Sequence, residues 1–379
     1  MKADVHLKGL NGIRAIAAMA VVIFHIGVAL QDFGFASNMH TDLGGHGVSM
    51  FFALSGFLIT YLLLIEKNRF NGINIKSFYI RRVLRIWPLY YFYMFLALLT
   101  IYFYSKEQLP NSYIYYLLMA GNIPYIFDFS YPVLIHFWSL GVEEQFYAFW
   151  PWVVKKSNNL LRFLFIFTIA FLVAKFFFRY LYSVSDYKWP YLAWHITRFD
   201  CMSIGAIGAI FFLKENKRFL HLASSVFSQI VAWGVIALVL FNQFHIASII
   251  DTEIIAVLTV ILIVNVAGNK KTMLNLEKPV FNFLGKISYG IYVYHPLIIF
   301  FAARWLKSFL NSFDYTYKLI FVYALVPLCT ILIAYLSYNY LEKRFLKLKT
   351  GFSRVQSSDT AEELPKAELF SAQQQKVSV

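Results

Sequence analysis

Residues 15–30 read AIAAMAVVIFHIGVAL, an apolar run interrupted by one ionisable side chain, His25, with Arg14 immediately before it. With its flank from residue 10, the run has the length of a membrane span, which needs about 20 apolar residues. Eleven positions separate Arg14 from His25, close to three helical turns, so the two share a helix face with a mismatch of roughly 20° and lie about 16 Å apart along the axis. An ionisable group inside a span is costly and is read first as functional.

The same kind of run recurs along the chain. Ten segments have the length and apolarity of spans, at roughly 10–30, 47–65, 84–104, 137–154, 160–182, 192–213, 226–244, 249–267, 281–303 and 318–341. Residues are 59% hydrophobic and only 14% charged, against about 25% charged in average soluble domains. Too little polar surface remains to cover a soluble globule. The predicted fold class is an all-α integral membrane bundle of about ten transmembrane helices. The formal net charge of +14 does not point to nucleic acid, because the basic residues sit in short loops between apolar runs, where they set topology and meet lipid head groups. Cys201 and Cys329 both lie in apolar segments and give neither a disulfide framework nor metal-ligand spacing. Lys2, Lys8 and Arg14 before an apolar run imitate a signal peptide, but no small-residue cleavage site follows, so the run is expected to stay as the first helix.

Charge asymmetry fixes the expected topology. With the N-terminus in the cytoplasm, the loops containing Lys67 to Arg85, Lys155 to Arg162, Lys214 to Arg218 and Lys270 to Lys278 all fall inside, as does Lys343 to Arg354. Outside loops then hold only Lys106, Lys188, Arg304 and Lys307. This holds if Tyr113–Phe129, a shorter stretch with Gly121, Asn122 and Pro124, does not cross. It is therefore predicted to be re-entrant or peripheral on the outer face. The expected location is the inner (cytoplasmic) membrane, multi-pass, with both termini cytoplasmic. Residues 1–349 form the transmembrane domain, and 350–379, rich in Ser, Gln, Glu and Lys, read as a disordered cytoplasmic tail.

Polar residues inside the spans make a short list: Arg14, His25, Glu143, Glu144, Lys175, Arg179, Arg198, Asp200 and His295. His25, in the outer half of its helix, has the residue type to take and return a proton near neutral pH. Arg81, Arg82 and Arg85 cluster by i,i+3 and i,i+4 spacing at a helix N-terminus, where guanidinium forks and free backbone N–H groups favour phosphate, although positive-inside anchoring fits the same pattern. Glu143 and Glu144 point about 100° apart on a helix, which argues against both acting on one bond. One of them is expected to orient His25 or an arginine. Ser55-Gly56 are small residues for close packing or site lining. Arg198 with Asp200 reads as an ion pair, and His295, just before Pro296, reads as site lining.

Seven segments in order resemble the acyltransferase type 3 family of integral membrane proteins: LNGIRAIAAMAVVIFH, FFALSGF, RRVLRIWP, FWSLGVEEQFY, RFDCMSIG, LGKISYGIYVYHP and YLEKRF. The resemblance implies a ten-helix enzyme that moves an acyl group, often acetyl, from cytoplasmic acyl-coenzyme A to a sugar hydroxyl of a cell-envelope or exported glycan. It matches His25 to the family's main catalytic histidine, and Arg14, Arg82 with Arg85, and Glu143 with Glu144 to the family's arginine, arginine cluster and paired glutamates. The residues themselves then give His25 as general base or transient acyl carrier with a glutamate holding its tautomer, Arg14, Arg81, Arg82 and Arg85 in acyl-coenzyme A binding, Ser55, Arg198, Asp200 and His295 as site lining, and no metal. Some relatives add an extracytoplasmic hydrolase-like domain, and the short polar tail here implies none. Expected partners are a glycan or lipid-linked saccharide acceptor and membrane lipids. The rival reading is a multi-pass transporter with His, Arg and Glu as proton or substrate path.

Overall fold

The computed structural model describes residues 3–5, 7–39, 41–104, 112–310 and 312–357. Those residues are almost entirely helical. Helix α1 (Leu10–Val28) is followed by α2 (Leu43–Phe70), α3 (Ile75–Tyr104) and the short α4 (Tyr113–Leu117) and α5 (Asn122–Ile126). Then come α6 (Phe137–Lys156), α7 (Leu160–Ser185), α8 (Trp189–Thr197), α9 (Phe199–Leu213), α10 (Lys217–Ala223), α11 (Val226–Leu240) and α12 (Asp251–Gly268). The chain closes with α13 (Pro279–Lys286), α14 (Ser288–Leu310), α15 (Tyr315–Ser337), a π-helical turn Tyr338–Glu342 and α16 (Lys343–Gly351). Strand β1 (Ala3–Val5) pairs in parallel with β2 (Val355–Ser357).

Every predicted span falls on helix, but length and apolarity alone qualify only seven helical stretches among the described residues as membrane-crossing. The pair α10 and α11, bent by 52°, makes an eighth. The predicted count of ten is therefore not reached on that basis. The two missing are α6, with Glu143 and Glu144, and α14, with His295, Arg304 and Lys307. Both are diluted by polar residues. The chain is a multi-pass membrane protein.

Residues 113–129 contain two five-residue helices, each about 7.5 Å long at 1.5 Å per residue, far short of a crossing. The first residues of the predicted tail are ordered: α16 runs to Gly351 and β2 reaches Ser357. Residues 358–379 lie outside the described residues.

Helix α2 sits at the centre, packed on α1, α9 and α12. Its approach to α9 depends on glycine. A Cβ on Gly56 would run into the Met202 carbonyl, and one on Gly205 into the Ala53 carbonyl. Small residues let helix backbones meet in a membrane, where dispersion and packing replace the hydrophobic drive. By contrast α7 and α15 expose Ile169, Val173, Phe177, Ile320, Leu328 and Leu332, as lipid-facing helices do. Local signals set several ends. The Asn159 side chain accepts from the Arg162 N–H to start α7, and Asn71 adopts φ 50° to stop α2, the left-handed geometry Asn tolerates.

Candidate active site

Two adjoining places in this bundle hold most of the candidate site residues. One is a cavity of about 1180 Å³ of non-atom space, partly continuous with solvent, between α2, α3, α6, α14 and the C-terminal segment. Its ionisable lining is Arg14, Arg81, Arg82, Arg85, Lys349 and Glu143. Five cations line it against Glu143, with Glu66 behind Arg81 and Glu342 in the adjoining space, so the charged lining is net positive, as an anion site requires. A smaller space of about 490 Å³ adjoins it and shares Arg14, Arg85, Tyr289 and Lys349.

The cations are held differently. Arg81 lies 3.3 Å from Glu66 Oε2 through Nη2, and its Nη1 donates to the Phe352 carbonyl at 2.8 Å. Arg82 stacks between Phe78 and Tyr147, 5.8 and 5.2 Å from their ring centres, an arrangement that favours guanidinium over ammonium. Arg14 donates to Asn11 Oδ1 at 3.0 Å. Glu143 accepts from both Ser55 Oγ and Tyr147 Oη. Ser55 thus lines the cavity as expected and serves to fix a carboxylate.

The second place is a cluster of three histidines above the cavity. His25 Nδ1 lies 2.9 Å from the Val21 carbonyl and 3.2 Å from His295 Nε2. His295 Nδ1 lies 2.7 Å from the Tyr292 carbonyl. A carbonyl only accepts, so His295 carries its proton on Nδ1 and presents a lone pair at Nε2. His25 Nδ1 then faces two acceptors, so it carries the proton. Its Nε2 keeps the lone pair a general base needs. His136, which precedes α6, places Nε2 3.1 Å from the Val293 carbonyl, and its ring centre lies 5.3 Å from that of His295. His136 and His295 are buried; His25 is half-buried. Among the described residues, no group of three or more His, Cys, Asp or Glu is placed to hold a metal ion.

Tyr292 separates the two places. Its hydroxyl donates to the His136 carbonyl at 2.9 Å and lies 2.5 Å from Ser139 Oγ. It lines the cavity, while its ring centre is 5.9 Å from that of His295. His25 is not in the cavity wall. Arg14 is, so of the two ends of the α1 stripe only the Arg14 end reaches this cavity.

Several sequence expectations change here. Neither Glu143 nor Glu144 hydrogen-bonds His25: the imidazole is held by Val21 and His295. Adjacent carboxylates were expected near it because both begin a span, but helix rotation turns Glu143 to Ser55 and Tyr147. Glu144 buries Oε1 with no partner among the described residues. His295 is closer to the centre than a lining role implied. Arg198 and Asp200 do not pair with each other, and neither lines this cavity. Arg198 instead donates to the Gly45 carbonyl at 2.7 Å and Ser49 Oγ at 3.0 Å, with Trp138 beneath its guanidinium at 5.4 Å. Asp200 accepts from the Cys201 N–H at 2.9 Å. Sequence reasoning missed His136, although it stands one residue before the FWSLGVEEQFY segment, and it missed Lys349.

The model of the acyltransferase domain Acyl_transf_3 matches residues 7–339. The chain belongs to that family. A Staphylococcus aureus (strain COL) protein provisionally named an O-acetyltransferase is 29% identical over 376 residues, covering 90% of this chain and 58% of that protein. The O-acetyltransferase OatA of Staphylococcus aureus (strain NCTC 8325 / PS 47) is 27% identical over 369 residues, covering 89% of this chain and 57% of that protein. The chain thus spans less than two thirds of the length of these relatives. No solved structure matches it significantly.

Proposed function

We propose that this chain is a membrane O-acyltransferase that moves an acyl group, acetyl in the simplest case, from cytoplasmic acyl-coenzyme A to a hydroxyl of a cell-envelope or exported glycan. The observation that carries the reading is the juxtaposition of a cation-lined cavity with a histidine held in one tautomer just beyond its wall. The relatives named as O-acetyltransferases support the chemistry. The donor's phosphates, which are polyanionic, fit a lining that includes Arg14, Arg82 and Arg85. The neutral pantetheine arm fits the apolar stretch of the same cavity, past Val48, Phe51 and Phe52. On this reading the arginine end faces the cytoplasm in the inner membrane, a placement that the charge asymmetry of the loops supports.

The transfer follows from the tautomer. His25 Nε2 takes the proton of the acceptor hydroxyl as its oxygen attacks the thioester carbonyl. The tetrahedral intermediate collapses with loss of the coenzyme A thiolate, which recovers that proton from Nε2. One ester C–O bond forms and one C–S bond breaks. His295 holds the proton on Nδ1 throughout and accepts a hydrogen bond from the imidazolium. A two-step route through an acyl group on His25 Nε2 uses the same lone pair. Tyr292 must turn aside for the thioester to reach His25.

The test is turnover by the purified chain in lipid. Given acetyl-coenzyme A and an envelope glycan, it should release free thiol in step with new O-acetyl esters. If it moves glycan across the bilayer without consuming acetyl-coenzyme A, it is a transporter and the reading fails.

A further inference from the structure

Arg198 stands at the break between α8 and α9, where its backbone adopts φ 43° and ψ 34°, a left-handed geometry that glycine enters more easily than arginine. The break turns the side chain inward, to 7% exposure. One end of the guanidinium is anchored. Nη1 donates to the Gly45 carbonyl at 2.7 Å and to Ser49 Oγ at 3.0 Å. Trp138 lies beneath at 5.4 Å and stacks in turn on Tyr125 of α5, ring centres 5.4 Å and planes 18° apart.

The other edge is unused. Nε is buried without a hydrogen-bond partner, and Nη2 makes no hydrogen bond among the described residues. These two N–H groups lie side by side on a guanidinium and point in parallel, the fork that takes two oxygens of one carboxylate or phosphate. No carboxylate pairs with Arg198 among the described residues. The acidic groups around it are committed elsewhere. Asp200 accepts from the Cys201 N–H, Glu253 bonds Lys175 and Asp128 pairs with Lys188. Asp251 takes His245 and the Ile246 and Ala247 N–H groups, and Asp42 is exposed at the start of α2. A buried donor edge left unmet is costly.

The position of this edge suits the acceptor. Ser49 and Trp138 hold Arg198, while their chain neighbours Val48 and Ser139 line the donor cavity, so the guanidinium lies behind the cavity wall. Its charge acts on the hydroxyls of Tyr125 and of Tyr292, the residue beside the histidines. The same turn of α2 reaches toward His25: a Cβ on Gly44 would strike the Phe24 ring, which packs edge-on against the His25 ring at 4.9 Å. The loop charges put this end of the bundle on the outer side, where the glycan arrives.

We infer that the Nε–Nη2 edge of Arg198 binds a carboxylate or phosphate group on the acceptor glycan and so sets which hydroxyl meets His25. This deepens the proposed function and rests on it. Arg198 acts in binding and not in bond making, and the enzyme prefers acidic glycans to neutral ones.

The test uses the full chain in lipid nanodiscs with acetyl-coenzyme A. Envelope glycan fragments are separated by anion exchange into neutral and acidic pools. One part of the acidic pool is amidated with carbodiimide and methylamine, which removes carboxylate charge, and another is treated with hydrofluoric acid, which removes phosphate. One of the two treatments should raise the wild-type KM for glycan about tenfold, the scale of a charged hydrogen bond, and that treatment names the group. R198M should raise KM for the untreated acidic pool by the same factor and abolish the difference between treated and untreated glycan, with KM for acetyl-coenzyme A unchanged. R198K, which keeps the charge without the fork, should lose most of the preference too. R179A, an exposed arginine at the outer end of α7, should match the wild type. A wild-type chain indifferent to both treatments overturns the inference. So does R198M raising KM for acidic and neutral pools alike. If R198M does not accumulate, R198K decides: full preference for the acidic pool overturns the inference, and lost preference supports it. A wild-type chain that acetylates no pool sinks the underlying acyltransferase reading instead, and that arm is read first.

Discussion

Two buried polar clusters in this bundle look alike in sequence and differ in what the fold does with them. One joins α7, α9 and α12: Lys175 Nζ bonds Glu253, Thr252 Oγ1 donates to Glu253 Oε2 at 2.9 Å, and Asp200 stands beside them with a backbone N–H on Oδ1. Lys175 is 1% exposed and Asp200 fully buried. The other is the cavity of Arg14, Arg82, Arg85 and Lys349, with His25 beyond Tyr292. In the first, a cation is met by carboxylates of the same chain. In the second, cations line a space large enough to admit a ligand, and a ring nitrogen beyond it keeps its lone pair. An intramembrane charge becomes a candidate for chemistry when the protein leaves room for a partner from elsewhere.

Breaking the first cluster should affect the fold and spare the chemistry. K175M strands Glu253 in the interior. It should cost about 3–5 kcal/mol of stability, the scale of a buried pair losing one partner, visible as lost accumulation and a lower unfolding temperature. Activity per folded molecule should hold. Replacing both partners, as K175M with E253L, should recover much of the loss. The second cluster should respond in the opposite way. R82A with R85A should raise KM for acetyl-coenzyme A about a hundredfold, given 1.5–3 kcal/mol for each charged hydrogen bond and incomplete additivity, with little change in melting. H295L removes the acceptor facing His25 Nδ1 and should lower kcat about tenfold, near one net hydrogen bond, while leaving donor KM in place. S55A removes one of two hydroxyls on Glu143 and should cost a few-fold in turnover. If K175M cut turnover per molecule while R82A with R85A merely unfolded the chain, the contrast between the clusters would be lost.

The two clusters also mark how far the sequence could be read. Apolar runs announce helices because spans need about 20 such residues, so the ten predicted segments fell on helix. Helices α6 and α14 fell short as membrane spans on apolarity because of Glu143 and Glu144 in the one and His295, Arg304 and Lys307 in the other. Polarity showed that Arg14, His25, Lys175 and Asp200 were unusual, but not which faced one another, since that depends on helix rotation and on contacts far apart in the chain. His25 and His295 are separated by 270 residues, and no spacing rule connects them. The role expected of a glutamate at His25 went to His295 for this reason. His136 escaped notice because it sits at a helix start and not in mid-run. Lys349 was masked by its neighbours: beside Lys343, Arg344 and Lys347 it reads as one more charge of an inside loop, and only the fold shows it buried, with Val355–Ser357 paired to Ala3–Val5 beyond it.

The central claim is that the lone pair at His25 Nε2 performs the proton transfer. Single-turnover acetyl transfer to glycan by H25A, matched to wild type for folded protein and donor binding, tests it most directly. The account predicts a fall of about 10²–10⁴-fold, the usual contribution of a general base, with acetyl-coenzyme A still bound at wild-type affinity. Transfer within a few-fold of wild type would contradict it.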